Sequence, residues 1–512
     1  MNTNPSLQNT PADSTIHDPH QRRNILLGVC IGLMAVIASV SGLNVAQPQI
    51  ALALDASQSD VLLMINIYAV TMAALLLPLG AVGDRWGRKP VLVTGLAIFG
   101  IANVLAGLAP STAIMLVARF LSGVGAAMIM PVTLAVITST FPSEERSKAI
   151  GIWSAVAGGG GILGMFLSAM LVDTVSWRAL FVLPIVLVLA AIFMTLRSVP
   201  NSREASDQRF DSVGSVLSMI VVVGLIFFLH EGEKQGWTSP ISLLTLLVGI
   251  ISAVGFVLWE RRQPAPLLDV ALFRKRGLAS GSVALLTVFG VQAGIFVVLY
   301  PYFQAVLGWS GLQSTLAFMP MAVLMMLSSG FAPRVSARIG PSLTMASGIF
   351  LGGSGLALMA IFVSVESGYL SILPGMLLMG LGMGLSMTPA TEAITTSVPR
   401  EQQGIASALN DVTREFGTAL GVALLGAVLT SGYQHAIASQ LQGIPARVAD
   451  IARNGIANAL AVADGSQPYA AALIRAAQES FVDGWQRAMW AGVVVMAMLL
   501  GYVLVQGPQR SK

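Results

Sequence analysis

Fourteen long apolar runs follow one another between residues 25 and 506 of this chain. Each is about 20 residues long, the length an α-helix needs to cross a bilayer. The runs are continuous rather than alternating, which argues against a transmembrane barrel. Charged residues make up 10% of the chain and hydrophobic residues 55%, against roughly 25% charged in an average soluble domain. So few charges do not cover a water-soluble particle, and disorder needs low hydrophobicity and high net charge. The expectation is an all-α polytopic membrane protein. An even number of spans returns the C-terminus to the side of the N-terminus.

Most of the 28 basic residues fall on that shared side, among them Arg22, Arg23, Arg85, Arg88, Lys89 and the Arg274–Arg276 cluster. Lysine and arginine accumulate on the cytoplasmic side, so both termini are expected there. Residues 1–23 are polar and carry Pro5, Pro11 and Pro19. They lack the apolar core of a signal peptide and read as a disordered cytoplasmic tail. The last two runs are expected near 404–429 and 486–506. Segment 430–485 between them is Ala-rich and reads as a helical hairpin on the outer face.

Little in the chain suggests catalysis. The single cysteine, Cys30, excludes an internal disulfide and a cysteine-based metal site. His17, His20, His230 and His435 lie in a tail or near loops. No glycine-rich phosphate loop follows a strand, which argues against ATP as the energy source. No catalytic residue, metal, cofactor or nucleic-acid partner is expected. The bilayer is the partner that the composition names, with a periplasmic adaptor left open.

Two stretches repeat about 255 residues apart in the same membrane orientation. Asp84-Arg85-Trp86-Gly87-Arg88-Lys89 is echoed by Ala337-Arg338-Ile339-Gly340-Pro341-Ser342. Met130-Pro131 followed by Phe141-Pro142-Ser143-Glu144 is echoed by Thr388-Pro389 followed by Val398-Pro399-Arg400-Glu401. Two like-oriented halves favour transporters that rock two bundles about a midplane site, and leave a duplicated channel or a scaffold open.

The segment Gly80-Ala81-Val82-Gly83-Asp84-Arg85-Trp86-Gly87-Arg88-Lys89 resembles the signature of the major facilitator superfamily, between its second and third helices. Fourteen spans point to the drug:proton antiporter branch of EmrB/QacA type. Asn44-Val45-Ala46-Gln47-Pro48, Pro266-Leu267-Leu268-Asp269 and Gly404-Ile405-Ala406-Ser407-Ala408-Leu409-Asn410 are similar to segments of that branch. The resemblance implies a major facilitator fold with two six-helix bundles plus two additional central helices. The N-terminal bundle would occupy 24–200 and the additional helices 201–262. The C-terminal bundle would occupy 263–506, including 430–485, with a cytoplasmic tail at 507–512. It implies a proton-coupled exporter of amphipathic small molecules or drugs in the inner membrane of a bacterial cell. An exporter or importer of a neutral or anionic metabolite or lipid stands as the alternative, with a transport-inactive sensor behind it.

Candidate residues follow from cost inside a bilayer. A buried-edge Asp84 among Arg85, Arg88 and Lys89, flanked by Gly80 and Gly87, can make charge-assisted bonds to a helix N-terminus of the other half. That would hold the cytoplasmic side closed, whereas Arg88 and Lys89 also read as plain positive-inside anchors. Arg119 lies inside the fourth span, where a central arginine costs roughly 2.5–3.5 kcal/mol; the resemblance links it to proton coupling, and an interfacial arginine is the plainer reading. In the thirteenth span, Asp411, Arg414 and Glu415 form the densest polar stretch. Burial disfavours a carboxylate's charge and an adjacent arginine favours it, a balance suited to a proton carrier or to a structural ion pair. Glu392 is a further candidate. Asn44, Asn66, Tyr68, Gln292, Tyr300 and Met387 are expected along the substrate pathway. Gly158, Gly161 and Gly164 are expected to let the fifth span bend. Two departures from the branch stand out. The fifth span lacks the proline and both glycines of G-P-x-x-G-G, and Ser39 stands where an aspartate is frequent.

Overall fold

A computed structural model describes residues 15–202, 210–463 and 468–508. Among them every regular element is helical. The spanning helices of the first half are α1 (Pro19–Val45), α3 (Gln58–Trp86), α4 (Arg88–Gly107), α5 (Thr112–Thr140), α6 (Ser143–Thr174) and α7 (Val182–Ser198), with a short α2 (Gln47–Leu54) after α1. Next come α8 (Ser212–Gln235) and α9 (Pro240–Glu260). The second half comprises α10 (Arg276–Pro301), a short α11 (Gly311–Ala317) leading into α12 (Met319–Ile339), α13 (Pro341–Phe362), α14 (Tyr369–Ser397), α15 (Gln403–Ala438) and α18 (Ala470–Gln506). Two short helices, α16 (Ala446–Ala452) and α17 (Ile456–Val462), lie between α15 and α18. The 14 expected spans are present.

Local chemistry sets the helix ends. Ser57 and Asp60 form a reciprocal capping box at the start of α3, and Ser310 with Gln313 does the same for α11. The repeat places Gly87 and Gly340 alike. Each ends a helix at positive φ, 110° and 92°, and the next helix starts at once. Glycine takes that conformation without a Cβ penalty.

Two boundaries differ from expectation. Part of the proposed tail is ordered: α1 starts at Pro19, capped by Asp18, and Arg22 binds Glu145 at 2.9 Å. Proline in the first helical turn favours a start rather than breaking it. Residues 1–14 lie outside the described residues. The outer hairpin is shorter than 430–485, because α15 runs on to Ala438 and α18 begins at Ala470. No proline interrupts either extension, and Tyr433 Oη donates to Ala452 O at 2.8 Å, holding α16 against α15.

Helix α15 packs on α3 and α5, and α6 packs on α12 and α14, so the halves meet along two seams. Helix α8 leans on both α3 and α15, and its main other neighbour is α9. Helix α9 is exposed at Ile241, Leu243, Leu247 and Ile251, as a lipid-facing helix must be. Below, the end of the bundle that carries Asp84 is called the Asp84 end and the opposite one the hairpin end.

Candidate functional site

At the Asp84 end the turn at Gly87 brings Arg88 back over Asp84. Arg88 Nη2 and Nε donate to Asp84 Oδ1 at 2.7 and 3.2 Å. Across the seam, the backbone N–H of Gly404 donates to Oδ1 at 2.8 Å and that of Ile405 to Oδ2 at 3.1 Å. These belong to the first turn of α15, where N–H groups have no partner within the helix and the dipole favours an anion. Asp84 is 1% exposed, a burial a carboxylate tolerates only when paired and hydrogen-bonded. Gly80 and Gly404 lie backbone to backbone beneath it, with no room for a Cβ on either. Lys89 instead donates to Leu196 O at 2.8 Å within the first half, and Arg85 is half-buried beside the turn. On the other seam Ser147 Oγ donates to Glu392 Oε1, joining α6 to α14.

Arg119 is buried among α1, α3 and α5. Its Nε donates to Met64 O and its Nη1 to Ser39 Oγ, both at 3.3 Å, and its guanidinium lies 4.3 Å from the Tyr68 ring centre. Among the described residues no carboxylate pairs with it. It sits inside the half, about 10 Å along α5 from its start at the hairpin end. Tyr68 Oη is buried and has no hydrogen-bond partner among the described residues, but Glu415 lies near enough to act on it electrostatically.

The polar stretch of α15 divides between two places. Asp411 is fully buried. Its Oδ1 lies 3.5 Å from Arg414 Nη1 and 3.3 Å from Asn410 Nδ2, and its Oδ2 has no partner among the described residues. Arg414 Nη2 donates to Ala157 O at 3.3 Å, and the guanidinium lies 4.4 Å over the Phe289 ring. Arg414 thus spans from its own half to α6, beside the Gly158–Gly161 run. Glu415 instead faces a cavity. From the start of α15, Asp411 lies about 12 Å and Glu415 about 18 Å along the helix at 1.5 Å per residue, so neither sits at the Asp84 end.

The cavity has a volume of about 450 Å³ and is lined by α3, α8 and α15. On α3 it runs from Ser59 at the hairpin end to Ala73, and on α15 from Ala423 down to Glu415. Helix α8 supplies Ile226, Phe227, Leu229, His230 and Glu231. His230 Nε2 and Asn66 Nδ2 approach to 3.5 Å. The sequence places His230 near a loop. A histidine and a glutamate side by side in an apolar helix were the available signal.

Of the six residues expected along a pathway, the five whose side chains are described are not brought together. Asn66 lines the cavity, and Tyr68 lies behind it against Arg119. Gln292 borders a separate small void within the second half. Met387 is buried against Gly158 on the α6–α14 seam, and Tyr300 lies near Gly311. The Asn44 side chain lies outside the described residues. Helix α6 runs unbroken past Gly158, Gly161 and Gly164. Gly158 faces Met325 and Met387, and Gly164 faces Ala38, so both serve close approach.

The sequence profile of the Major Facilitator Superfamily matches residues 29–422. The chain is 30% identical over 503 residues to a protein named multidrug efflux pump LfrA from Mycolicibacterium smegmatis, covering 96% of this chain and 97% of that one. It is 31% identical over 407 residues to multidrug resistance protein Stp from Mycobacterium tuberculosis, covering 79% of this chain and 75% of that one. The crystal structure of the human organic anion transporter MFSD10 shares the fold, with a TM-score of 0.59 at 14% identity over 93% of this chain and 99% of that one.

Proposed function

The chain belongs to the major facilitator superfamily of membrane transporters, and we propose that it is a proton-driven exporter of amphipathic small molecules, with the Asp84 end in the cytoplasm. The carrying observation is the contact of Asp84 with the first turn of α15, which ties one half to the other at one end while a cavity reaches inward from the opposite end. This is the geometry of a carrier closed inward, and breaking that contact opens the other state. The relatives named for multidrug resistance and efflux support an outward direction and a drug-like cargo.

Glu415 is the better proton carrier of the two acids on α15, because it lines the cavity whereas Asp411 is enclosed with Arg414. A proton entering through the cavity neutralises Glu415, which loosens a cargo held there. The emptied, neutral site returns, and the proton leaves to the cytoplasm. The membrane potential contributes about 2.3 kcal/mol per charge per 100 mV.

The test uses purified protein in vesicles with an imposed pH gradient and an internal pH dye. Cationic, neutral and anionic amphiphiles are added singly. Cargo-dependent collapse of the gradient is expected in the wild type and should vanish in Glu415→Gln. Collapse that persists in that variant removes Glu415 from the mechanism. Cargo equilibration with no proton movement defeats antiport itself.

A further inference from the structure

Helix α8 belongs to the inserted pair, outside both repeated halves. A helix added only to face lipid has no need of polar side chains toward the interior. Yet α8 turns His230 and Glu231 into the cavity, beside Phe227 and Ile226. It is also the element that touches one helix of each half along the seam. Its neighbour α9 packs mainly on α8 and turns Leu243 and Leu247 outward, so α9 serves as a lipid-side backing.

The polar groups in the cavity are ordered along its length. Glu415 lies at the deep end. The His230–Asn66 pair lies above it, and Ser59 and Glu231 lie toward the hairpin end. Apolar side chains, Leu62, Val70, Ile226 and Phe227 among them, fill the walls between. The ionisable groups that face the space are Glu415 from α15 with Glu231 and His230 from α8; Arg119 and Tyr68 stand behind the α3 wall. Two acidic side chains in a mostly apolar chamber suit a flat organic cation.

We propose that α8 is a cargo-binding element, and that the cavity it closes with α3 and α15 holds an amphipathic organic cation whose charge faces Glu415 and whose apolar body lies against Phe227 and Ile226. This rests on the exporter reading and adds the site and the part of the inserted helix in it. Cargo choice then depends on a helix that neither repeated half contains.

The test is binding of rhodamine 6G, a lipophilic cation, to the full-length protein in lipid nanodiscs, read by fluorescence anisotropy. Ile226→Trp, which fills the cavity, and Glu415→Gln are each expected to raise the Kd roughly tenfold. Phe227→Ala, a gentler change, should raise it about threefold. Leu247→Trp, on the outward face of α9, should leave it unchanged. A Kd within about twofold of wild type in Ile226→Trp, Phe227→Ala and Glu415→Gln overturns the site. Failure of the wild type to bind the dye overturns the cationic class. The two readings separate cleanly: dye binding blocked by Ile226→Trp without any cargo-driven proton movement preserves this site and sinks antiport, whereas gradient-driven dye export by Ile226→Trp at the wild-type rate sinks this site and preserves antiport.

Discussion

The two seams between the halves hold equivalent places in the repeat but are closed by different chemistry. On α3–α15, a buried carboxylate takes two N–H groups from a guanidinium and two from a helix terminus of the opposite half. On α6–α12, the signature reads Ala337 where Asp84 stands and Pro341 where Arg88 stands. There Gly151 packs near Ser329 O and the Pro333 ring, and the Ser147–Glu392 bond to α14 lies alongside. One seam is held by charge and the other mostly by packing. Duplication supplied two hinges, and among the described residues the carboxylate–guanidinium latch lies on the α3–α15 one. Charge-assisted bonds are strong and all-or-none, which suits a switch; packed glycine seams slide, which suits a bearing.

Asp84→Asn is the largest expected break in that asymmetry. It keeps the shape and removes the charge that Arg88, Gly404 and Ile405 share. Hydrogen bonds to charged groups contribute about 1.5–3 kcal/mol each, so losing the charge should shift the equilibrium toward the open Asp84 end by about 3 kcal/mol, roughly 100-fold. Spin-label distances between α3 and α15 would lengthen, and gradient-driven export would fall correspondingly. Unchanged distances would mean that the latch holds nothing.

Gly404→Ala comes next. Its Cβ would lie 2.7 Å from Asp84 Oδ2 and nearer still to Gly80 O. Overpacking costs typically 1–3 kcal/mol, so roughly a tenfold loss of the closed population is expected. Gly151→Ala, with its Cβ 2.9 Å from Ser329 O and 3.1 Å from Pro333 Cγ, should cost less. The reverse order would make the packed seam the tighter one.

The smallest effect is expected from Glu392→Gln, which keeps an acceptor for Ser147 and removes only charge. Export within about twofold of wild type is the outcome that fits a seam held by packing rather than by the Glu392 charge. A loss as deep as that of Asp84→Asn would show that both seams are ionic, and the comparison would fail.

The span count and the Asp84 turn were legible in the sequence because length in a bilayer and charge in an apolar chain are one-dimensional signals. Helix faces were not. Helix α15 carries Asp411 and Glu415 four residues apart, which predicts a shared face, yet Arg414 holds one and the cavity receives the other. A helix apolar on all sides shows no moment that tells interior from lipid. Gln292, Tyr300 and Met387 therefore share only polarity or size, and the structure scatters them. His230 was discounted by its nearness to a loop, although α8 runs five residues further, to Gln235. Pro19 reads as part of a disordered tail, whereas its position at a helix start decides the matter.

The length of α15 has a mechanical consequence. Its 36 residues make a rod about 54 Å long. Its first turn holds the Asp84 carboxylate, and Glu415 lies about 9 Å from the rod's centre. If the rod tilts about that centre by about 10°, its ends sweep about 5 Å while Glu415 moves less than about 2 Å. Such a sweep exceeds the bonds at Gly404 and Ile405 and severs them, yet the acid near the fulcrum stays almost in place. A lever of this kind parts its far end without carrying the proton site along, and spin-label distances from α3 to the exposed Glu401 beside that end and to the exposed Leu424 near the fulcrum would read the two displacements separately.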